Sequence, residues 1–161
     1  MNEPMRFLLF GNPVSQSLSP LLHNAAYAEM GLAAIYEACC VSDLAAAVAD
    51  VRERKISGVS VTIPFKTDIM KFLDEVDYRA SAIGAVNTVH NSNGRLLGYN
   101  TDCSGLIRDL KEAMEIKGGT FVVLGAGGTS RAAVFGIIQE GGEVVVAGRS
   151  EAKARLLASE F

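Results

Sequence analysis

Residues 121–131 read Phe-Val-Val-Leu-Gly-Ala-Gly-Gly-Thr-Ser-Arg, a short apolar run that leads into a glycine-rich turn. A continuous apolar run is typical of a strand buried on both faces, and residues 130–139 after the turn have the period of a helix. Such a turn lets the backbone approach a pyrophosphate, whose charge is favoured by the free N–H groups at the helix N-terminus. The stretch therefore predicts a dinucleotide-binding turn, with an ordinary βα turn as the alternative.

The next predicted strand, residues 143–147, indicates which dinucleotide is bound. Dinucleotide folds carry an Asp or Glu at its end when they read a ribose 2′-hydroxyl, and a basic residue when they accommodate a 2′-phosphate. Here the strand is followed by Gly148, Arg149 and Ser150, with Lys153 one turn into the next helix. Because an arginine fork matches phosphate geometry, we expect NADP rather than NAD, with a solvated arginine as the alternative.

Outward from this turn, the chain alternates short apolar strands with helical segments, which is the pattern of βα units. Strands are predicted at residues 7–10, 35–41, 59–63, 85–90, 95–99, 121–124 and 143–147. Helices are predicted at residues 19–30, 43–54, 101–114 and 130–139, after Pro64, and from Glu151 onward. We therefore predict an α/β fold: an N-terminal α/β domain with a mostly parallel sheet (1–101), a connecting helix and boundary (102–118), and the start of a Rossmann-type NADP-binding domain (119–161).

Composition narrows the class of protein. Of 161 residues, 49% are hydrophobic and 20% charged, and 15 basic against 18 acidic side chains give a formal net charge of −3. The chain is too apolar for a disordered protein and not basic enough to bind nucleic acid by charge alone. With no apolar run of about 18 residues and no secretory signal, we expect no membrane partner. The three cysteines lack metal-ligand spacing and predict buried thiols in the cytoplasm, with no metal site.

Two hydroxyl side chains, Ser17 and Ser19, lie between the first predicted strand and its helix. Hydroxyl groups beside a helix N-terminus can hold a small carboxylate. The alternative is structural, with Ser19 as the N-cap in front of Pro20 and Ser17 as a turn residue.

Lys66 follows a predicted strand whose alternation puts Ser60 and Thr62 on a polar face and Ile63 on the apolar one. Ligands of open α/β sheets bind at the carboxyl ends of the strands. A lysine at that edge could donate a proton to a carbonyl oxygen as it becomes an alcohol. An exposed lysine at a helix start is the alternative.

Asn87 lies in one strand of a predicted hairpin, and Asp102 follows the other. A carboxylate there could pair with Lys66 and accept a hydrogen bond from a substrate hydroxyl. It could equally be part of the N-cap of the long helix that follows.

Five motifs occur in order along the chain. They are Gly11-Asn12-Pro13 through Ser17-Leu18-Ser19-Pro20 to His23-Asn24, Val61-Thr62-Ile63-Pro64-Phe65-Lys66, Gly84-Ala85-Val86-Asn87-Thr88, Gly98-Tyr99-Asn100-Thr101-Asp102, and Gly125-Ala126-Gly127-Gly128. With them the chain resembles the shikimate dehydrogenase family from residue 7 to residue 161. The resemblance implies an NADP-dependent oxidoreductase that reversibly reduces 3-dehydroshikimate to shikimate, in the chorismate pathway of aromatic amino-acid biosynthesis.

The resemblance also implies roles for single residues. Ser17 and Ser19 would hold the substrate carboxylate, and Lys66 and Asp102 would form the catalytic pair. The substrate ring would be surrounded by Thr62, Lys66, Asn87 and Asp102. The cofactor would be bound by Gly125, Ala126, Gly127, Gly128 and Thr129 at the pyrophosphate and by Arg149, Ser150 and Lys153 at the 2′-phosphate.

Two positions depart from the family pattern, which often has Asn where this chain has Ser60 and Gly148. Gly148 removes one contact to the adenosine phosphate, so NADP is favoured less strongly. The alternative functions are a quinate/shikimate dehydrogenase with relaxed cofactor use and a non-catalytic shikimate-binding relative. A homodimer is the assembly considered.

Length gives one more expectation. Residues 119–161 hold only two predicted strands, whereas a dinucleotide fold has about six. In the family a returning C-terminal segment also completes the substrate site. We therefore expect a truncated product that binds a carboxylate weakly and has negligible dehydrogenase activity by itself.

Overall fold

In the described part of the chain, the larger sheet combines parallel and antiparallel strand pairing. The computed structural model describes residues 3–161, and the chain divides into two compact units. Of the described residues, the first unit comprises 3–77 together with Val86–Tyr99, and the second comprises Tyr78–Ala85 and Asn100–Phe161. The α/β fold class predicted from the sequence is confirmed.

The first unit is built on six strands. Its elements are β1 (Met5–Gly11), α1 (Ser19–Glu29), β2 (Ala34–Cys40), α2 (Leu44–Glu53), β3 (Gly58–Val61), a 3-10 helix (Asp68–Phe72), β4 (Glu75–Val76), β5 (Thr88–Ser92) and β6 (Arg95–Tyr99). The strand order is β2-β1-β3-β5-β6-β4, and β5 runs against the other five strands. The carboxyl ends of β1 and β3 therefore lie side by side, which brings the turns after them together.

The core of the first unit is apolar and well buried, with Phe10, Val51, Ile56, Ile69 and Leu96 each 1% exposed. Burying each such side chain contributes roughly 1.5–3 kcal/mol. The sheet is thus a firm support for the loops at its edge.

Asn24 covers part of the outer edge of this sheet. Its side-chain amide donates to the carbonyl of Tyr36 at 2.9 Å, and its oxygen accepts from the N–H of Tyr36 at 2.8 Å. Since β2 is the edge strand, this α1 side chain pairs backbone groups that a further strand would otherwise use.

The predicted hairpin between β5 and β6 is confirmed. Asn93 and Gly94 both have positive φ, at 54° and 93°, as a tight Asn-Gly turn requires. Asn91 stabilises the turn, because its oxygen accepts from the N–H of Gly94 at 2.7 Å. Its amide nitrogen lies 3.1 Å and 2.8 Å from the carbonyls of Val51 and Ile56.

The second unit contains α3 (Tyr78–Ile83), α4 (Asp102–Ala113), β7 (Thr120–Leu124), α5 (Gly128–Gln139), β8 (Glu143–Ala147) and α6 (Glu151–Glu160). β7 and β8 pair in parallel. Gly136 lets α5 approach α4, since a Cβ there would lie 2.7 Å from Ile107 and 3.0 Å from the Cys103 sulfur. One face of the two-stranded sheet is exposed, at Val122 (63%), Leu124 (81%) and Val145 (52%).

Several local expectations are wrong. Ser19 is not the N-cap of α1: Leu18 is, and it has no side-chain cap hydrogen bond. A helical stretch follows Pro64 as expected, but it is a short 3-10 helix, and α3 comes only beyond β4. Ile63 is 68% exposed rather than on the buried face, because β3 ends at Val61 and the alternation ends with it.

The thiols also differ from expectation. Cys39 and Cys103 are half-buried and Cys40 is exposed, so the cysteines are not all buried. Cys39 and Cys40 lie at the end of the edge strand β2, where little packs over them.

Candidate active site

The turn between β1 and α1 brings two hydroxyl groups together. The Ser17 and Ser19 hydroxyl oxygens are 3.1 Å apart, and the N–H of Ser19 donates to the Ser17 oxygen at 3.2 Å. Because Leu18 is the N-cap, neither hydroxyl caps the helix in the usual way. Both hydroxyls therefore lie at a helix N-terminus, which favours an anionic group.

Asn12 fixes this turn to two neighbouring strands. Its N–H donates to the carbonyl of Ile63 at 3.0 Å, and its side-chain amide donates to the carbonyl of Val41 at 3.0 Å. The turn after β1 is thus tied to the residues that follow β2 and β3.

A cavity of about 460 Å³ lies beside the turn, within the first unit. Ser17, Ser19 and Thr62 all line it, so the structure brings together three of the predicted substrate residues. This volume is within the range of pockets for small molecules.

Gly11 determines how Thr62 is placed. A Cβ at residue 11 would lie 2.5 Å from the Thr62 methyl carbon Cγ2 and 3.2 Å from Val14. The Thr62 methyl group therefore packs against the bare Cα of Gly11. Sequence reasoning gave Gly11 no role of its own, and its position directly before Asn12-Pro13 was the available signal.

Ser60 is engaged with a buried tyrosine. Its hydroxyl forms a hydrogen bond with the hydroxyl of Tyr36, and burial raises the pKa of Tyr36. Tyr36 is 4% exposed, and the His23 ring stacks on it at 4.3 Å. Ser60 thus contributes to a side-chain cluster with Tyr36.

Lys66 and Asn87 belong to the first unit and are held by their backbones. The carbonyl of Lys66 accepts from the N–H of Val86 at 2.7 Å. Asn87 accepts from the N–H of Val61 at 2.8 Å and donates to the carbonyl of Tyr99 at 3.0 Å. The Asn87 side-chain oxygen accepts from the Thr88 hydroxyl at 2.9 Å.

Asp102 is the first residue of α4, in the second unit. Two residues earlier, Asn100 makes two side-chain hydrogen bonds: its amide donates to the carbonyl of Ala85 at 2.9 Å, and its oxygen accepts from the N–H of Cys103 at 3.1 Å. Thr101 is the N-cap and makes no side-chain cap bond. The pairing of Asp102 with Lys66 stays a prediction.

The glycine-rich turn joins β7 to α5 in the second unit. Gly125 has φ of 116°, a conformation that L side chains rarely adopt, and its N–H donates to the carbonyl of Ala147 at 2.7 Å. Gly127 is the N-cap of α5 without a side-chain cap, and a Cβ there would have no atom within 4 Å. The turn therefore exposes bare backbone at a helix N-terminus, which fits a pyrophosphate.

Arg131, at the end of this motif, was given no predicted role. Its Nε donates to the carbonyl of Ile83 at 2.7 Å, and its guanidinium also pairs with Glu160 and lies over the Phe161 ring. A Cβ at Gly84 would lie 2.6 Å from the guanidinium. Its 48-residue separation from Ile83 left no local signal of this contact.

The residues after β8 offer positive charge. Arg149 and Lys153 are exposed, and within residues 3–161 neither side chain forms a hydrogen bond or ion pair. Ser150 is the N-cap of α6, and its oxygen accepts from the N–H of Lys153 at 3.4 Å. A Cβ at Gly148 would be in ordinary van der Waals contact with the glycine-rich turn, 3.7 Å from the Gly125 Cα.

Over the described part of the chain, no group of three or more His, Cys, Asp or Glu side chains is placed to hold a metal ion. In the same residues, no helix has the length and hydropathy needed to cross a membrane.

Comparison with known proteins decides the family. Residues 9–89 match the family model described as the shikimate dehydrogenase substrate binding domain. The chain belongs to this family. The motifs of the β1–α1 turn, of β3 and of Asn87 all lie within the matched range.

Relatives of the family are similar along nearly the whole chain. Shikimate dehydrogenase (NADP(+)) of Geobacillus sp. (strain WCH70) is 46% identical over 156 residues, which cover 94% of this chain and 56% of that protein. The chain thus spans about half the length of the curated relatives it matches.

Solved structures agree in fold. The crystal structure of shikimate dehydrogenase from Aquifex aeolicus has a TM-score of 0.94 at 40% identity, covering 100% of this chain and 62% of that one. Shikimate 5-dehydrogenase from Thermus thermophilus, in complex with NADP(H) and shikimate, has a TM-score of 0.87 at 42% identity, with coverage of 98% and 60%.

Proposed function

We propose that this chain is part of an NADP-dependent shikimate dehydrogenase, which reversibly reduces 3-dehydroshikimate to shikimate. The observation that carries the proposal is the cavity shared by Ser17, Ser19 and Thr62 in a chain of this family. Two hydroxyls 3.1 Å apart at a helix N-terminus suit a carboxylate, and Thr62 adds a hydroxyl for the polar ring.

In this proposal residues 1–101 form the substrate-binding domain, 102–118 the connecting helix and boundary, and 119–161 the first part of the Rossmann-type domain. The match over residues 9–89 supports the first assignment, and the strand, turn and helix order β7-α5-β8 supports the last. The proposed cellular place is the cytoplasm, and the proposed assembly, a homodimer, is measurable by sedimentation.

The proposed chemistry uses Lys66 and Asp102 as the catalytic pair. The Lys66 ammonium group donates a proton to the substrate carbonyl oxygen as it becomes an alcohol, and Asp102 orients that hydroxyl. Asn87 holds a neighbouring ring hydroxyl. The backbone hydrogen bonds of Lys66 and Asn87 support this assignment, because they fix the backbone from which each side chain extends.

Residues of the second unit fit the proposed cofactor. Gly125, Ala126, Gly127, Gly128 and Thr129 would hold the pyrophosphate, and Arg149, Ser150 and Lys153 the 2′-phosphate. The bare turn at Gly127 and the uncommitted Arg149 and Lys153 side chains support this fit. Bound NADPH would supply the hydride.

The substitution Lys66→Ala tests the function. We expect kcat of the full-length protein to fall roughly 10²- to 10⁴-fold, because a positioned proton donor is lost, while shikimate affinity changes about fivefold or less. Lys71→Ala is the matched control, since Lys71 is an exposed lysine paired with Asp68 in the 3-10 helix. Near-normal turnover in Lys66→Ala would contradict the assigned role.

A quinate/shikimate dehydrogenase with relaxed cofactor use is the second candidate. Gly148 favours it, because no side chain at this position covers the glycine-rich turn. Initial rates with shikimate and quinate, each with NADP+ and NAD+, distinguish the two enzymes. No rate in any combination, together with shikimate binding, would identify the non-catalytic relative.

A further inference from the structure

Residues 83–85 form a short segment whose backbone is held from two sides in the second unit. The Ile83 carbonyl accepts from Arg131, and the Ala85 carbonyl accepts from the Asn100 amide at 2.9 Å. The N–H groups of Gly84 and Ala85 donate back to the Ala80 carbonyl in α3. The segment is therefore a fixed point of the backbone.

Asn100 directly follows β6 in the sequence and belongs to the second unit. In the first unit, β5 and β6 pair as far as Thr88 and Tyr99, and the N–H of Asn87 then donates to the carbonyl of Tyr99. Within the second unit, the Asn100 amide donates to the Ala85 carbonyl.

The type of side chain at position 100 follows from these two bonds. Capping α4 requires only an acceptor for the N–H of Cys103, which Asp or Ser would supply as well as Asn. The bond to Ala85 requires a donor on the same side chain. An amide supplies both groups at once, whereas a carboxylate only accepts.

We propose that Asn100 is a positioning residue, whose amide ties the first turn of α4, with Asp102, to the Ala85 carbonyl two residues before Asn87. The proposal rests on the proposed function, in which Asp102 and Asn87 both meet the substrate. Loss of the tie lets the Asp102 carboxylate leave its working position, although the helix cap stays intact.

The test compares Asn100→Asp and Asn100→Ser with the parent in the full-length protein. Asn100→Asp keeps an acceptor for Cys103 and has no donor for Ala85. Asn100→Ser has one hydroxyl oxygen in place of the amide Cγ, so it cannot occupy the positions of both the amide nitrogen and the amide oxygen. We expect kcat to fall about 10- to 100-fold with KM within about threefold. If Asn100 only caps the helix, Asn100→Asp keeps the parent kcat, and the proposal is overturned.

Asn91→Ser is the matched control. Asn91 also donates its side-chain amide to carbonyls and accepts from a backbone N–H, but in the β5–β6 hairpin. We expect it to lower the unfolding midpoint without lowering kcat. If Asn91→Ser lost as much kcat as the Asn100 variants, general destabilisation would explain the loss in both cases, and the proposal would be overturned.

A second readout does not depend on turnover. The ¹³Cγ resonance of Asp102 is expected to shift in Asn100→Ser and to stay in place in Asn91→Ser. An inactive parent would refute the proposed function, and this resonance would then decide on Asn100 alone. An unmoved resonance in Asn100→Ser overturns the proposed positioning.

Discussion

The β1–α1 turn and the β7–α5 turn join the same kinds of element but present different chemical groups. Both lead from the end of a parallel strand to a helix N-terminus that carries no side-chain cap. The first turn presents hydroxyls, Ser17 and Ser19, whereas the second presents bare glycine backbone. Hydroxyl side chains suit a ligand that must be distinguished from similar small molecules. Bare backbone suits a phosphate chain, which can come close to the free N–H groups of the turn.

The two turns also use glycine for different reasons. Gly125 is required by its own backbone, with φ of 116°. Gly11 is required by a neighbour, the Thr62 methyl group, which would lie 2.5 Å from a Cβ. The first requirement is conformational and the second is steric, so they predict different ways of breaking each turn.

The largest effect is expected for Gly125→Val. A β-branched residue at this φ is strained, and we expect the free energy of unfolding to fall by about 2 kcal/mol, measured by chemical denaturation. Gly127→Ala is the control, because its φ is −96° and a Cβ there meets no atom within 4 Å. It should keep the stability and weaken only cofactor binding. Unchanged stability of Gly125→Val would remove the conformational argument.

A smaller loss is expected for Gly11→Ala. The new methyl group overlaps Thr62, which costs about 1.5 kcal/mol of unfolding free energy. Thr62→Ser removes the Cγ2 methyl and keeps the hydroxyl, so the double variant should recover more than half of that loss. Additive effects in this double-mutant cycle would show that the methyl group at residue 11 and the Thr62 methyl group do not clash.

Ser19→Ala probes the hydroxyl pair itself. We expect shikimate to bind about fivefold more weakly, equal to about 1 kcal/mol, in calorimetric titration. Stability should hardly change, because the Ser19 hydroxyl does not cap α1. Ser42→Ala, in the exposed loop before α2, is the control. Equal shikimate affinity in Ser19→Ala and the parent would show that the Ser19 hydroxyl does not bind the carboxylate.

The smallest effect is expected for Arg149→Ala. Exposed charge contacts contribute little, so NADP+ affinity should fall about threefold while NAD+ affinity stays the same. Arg155→Ala is the control, since Arg155 is an exposed arginine of α6 already paired with Glu151. Equal losses of affinity for NADP+ and NAD+ would show that Arg149 does not bind the 2′-phosphate.

Most strands were predictable because they are short apolar runs, and so was the hairpin, whose Asn-Gly turn has a local signature. The strand expected at residues 85–90 is shifted, because β5 runs from Thr88 to Ser92 and Asn87 lies just before it. β4 was not predictable, since Glu75–Val76 is too short to show a period. Ser19 looked like an N-cap from its type alone, but Leu18 takes that position with helical backbone angles. A residue's type does not fix where a helix begins.

The candidate site divides in the same way. The motifs identified Ser17, Ser19 and Thr62, which share one cavity. The groups that hold such residues in place were hidden, because they act across the chain. Asn100 reaches back 15 residues to Ala85, and Arg131 reaches back 48 residues to Ile83. Only the fold makes these pairs neighbours.

Asn24 has a consequence for how this protein behaves in a crowded solution. An edge strand is a template on which another extended chain can polymerise, and the growth of fibres starts from such templates. At Tyr36 both backbone groups are already occupied by the Asn24 amide. The Asn24 side chain thus prevents another strand from pairing with the sheet at Tyr36.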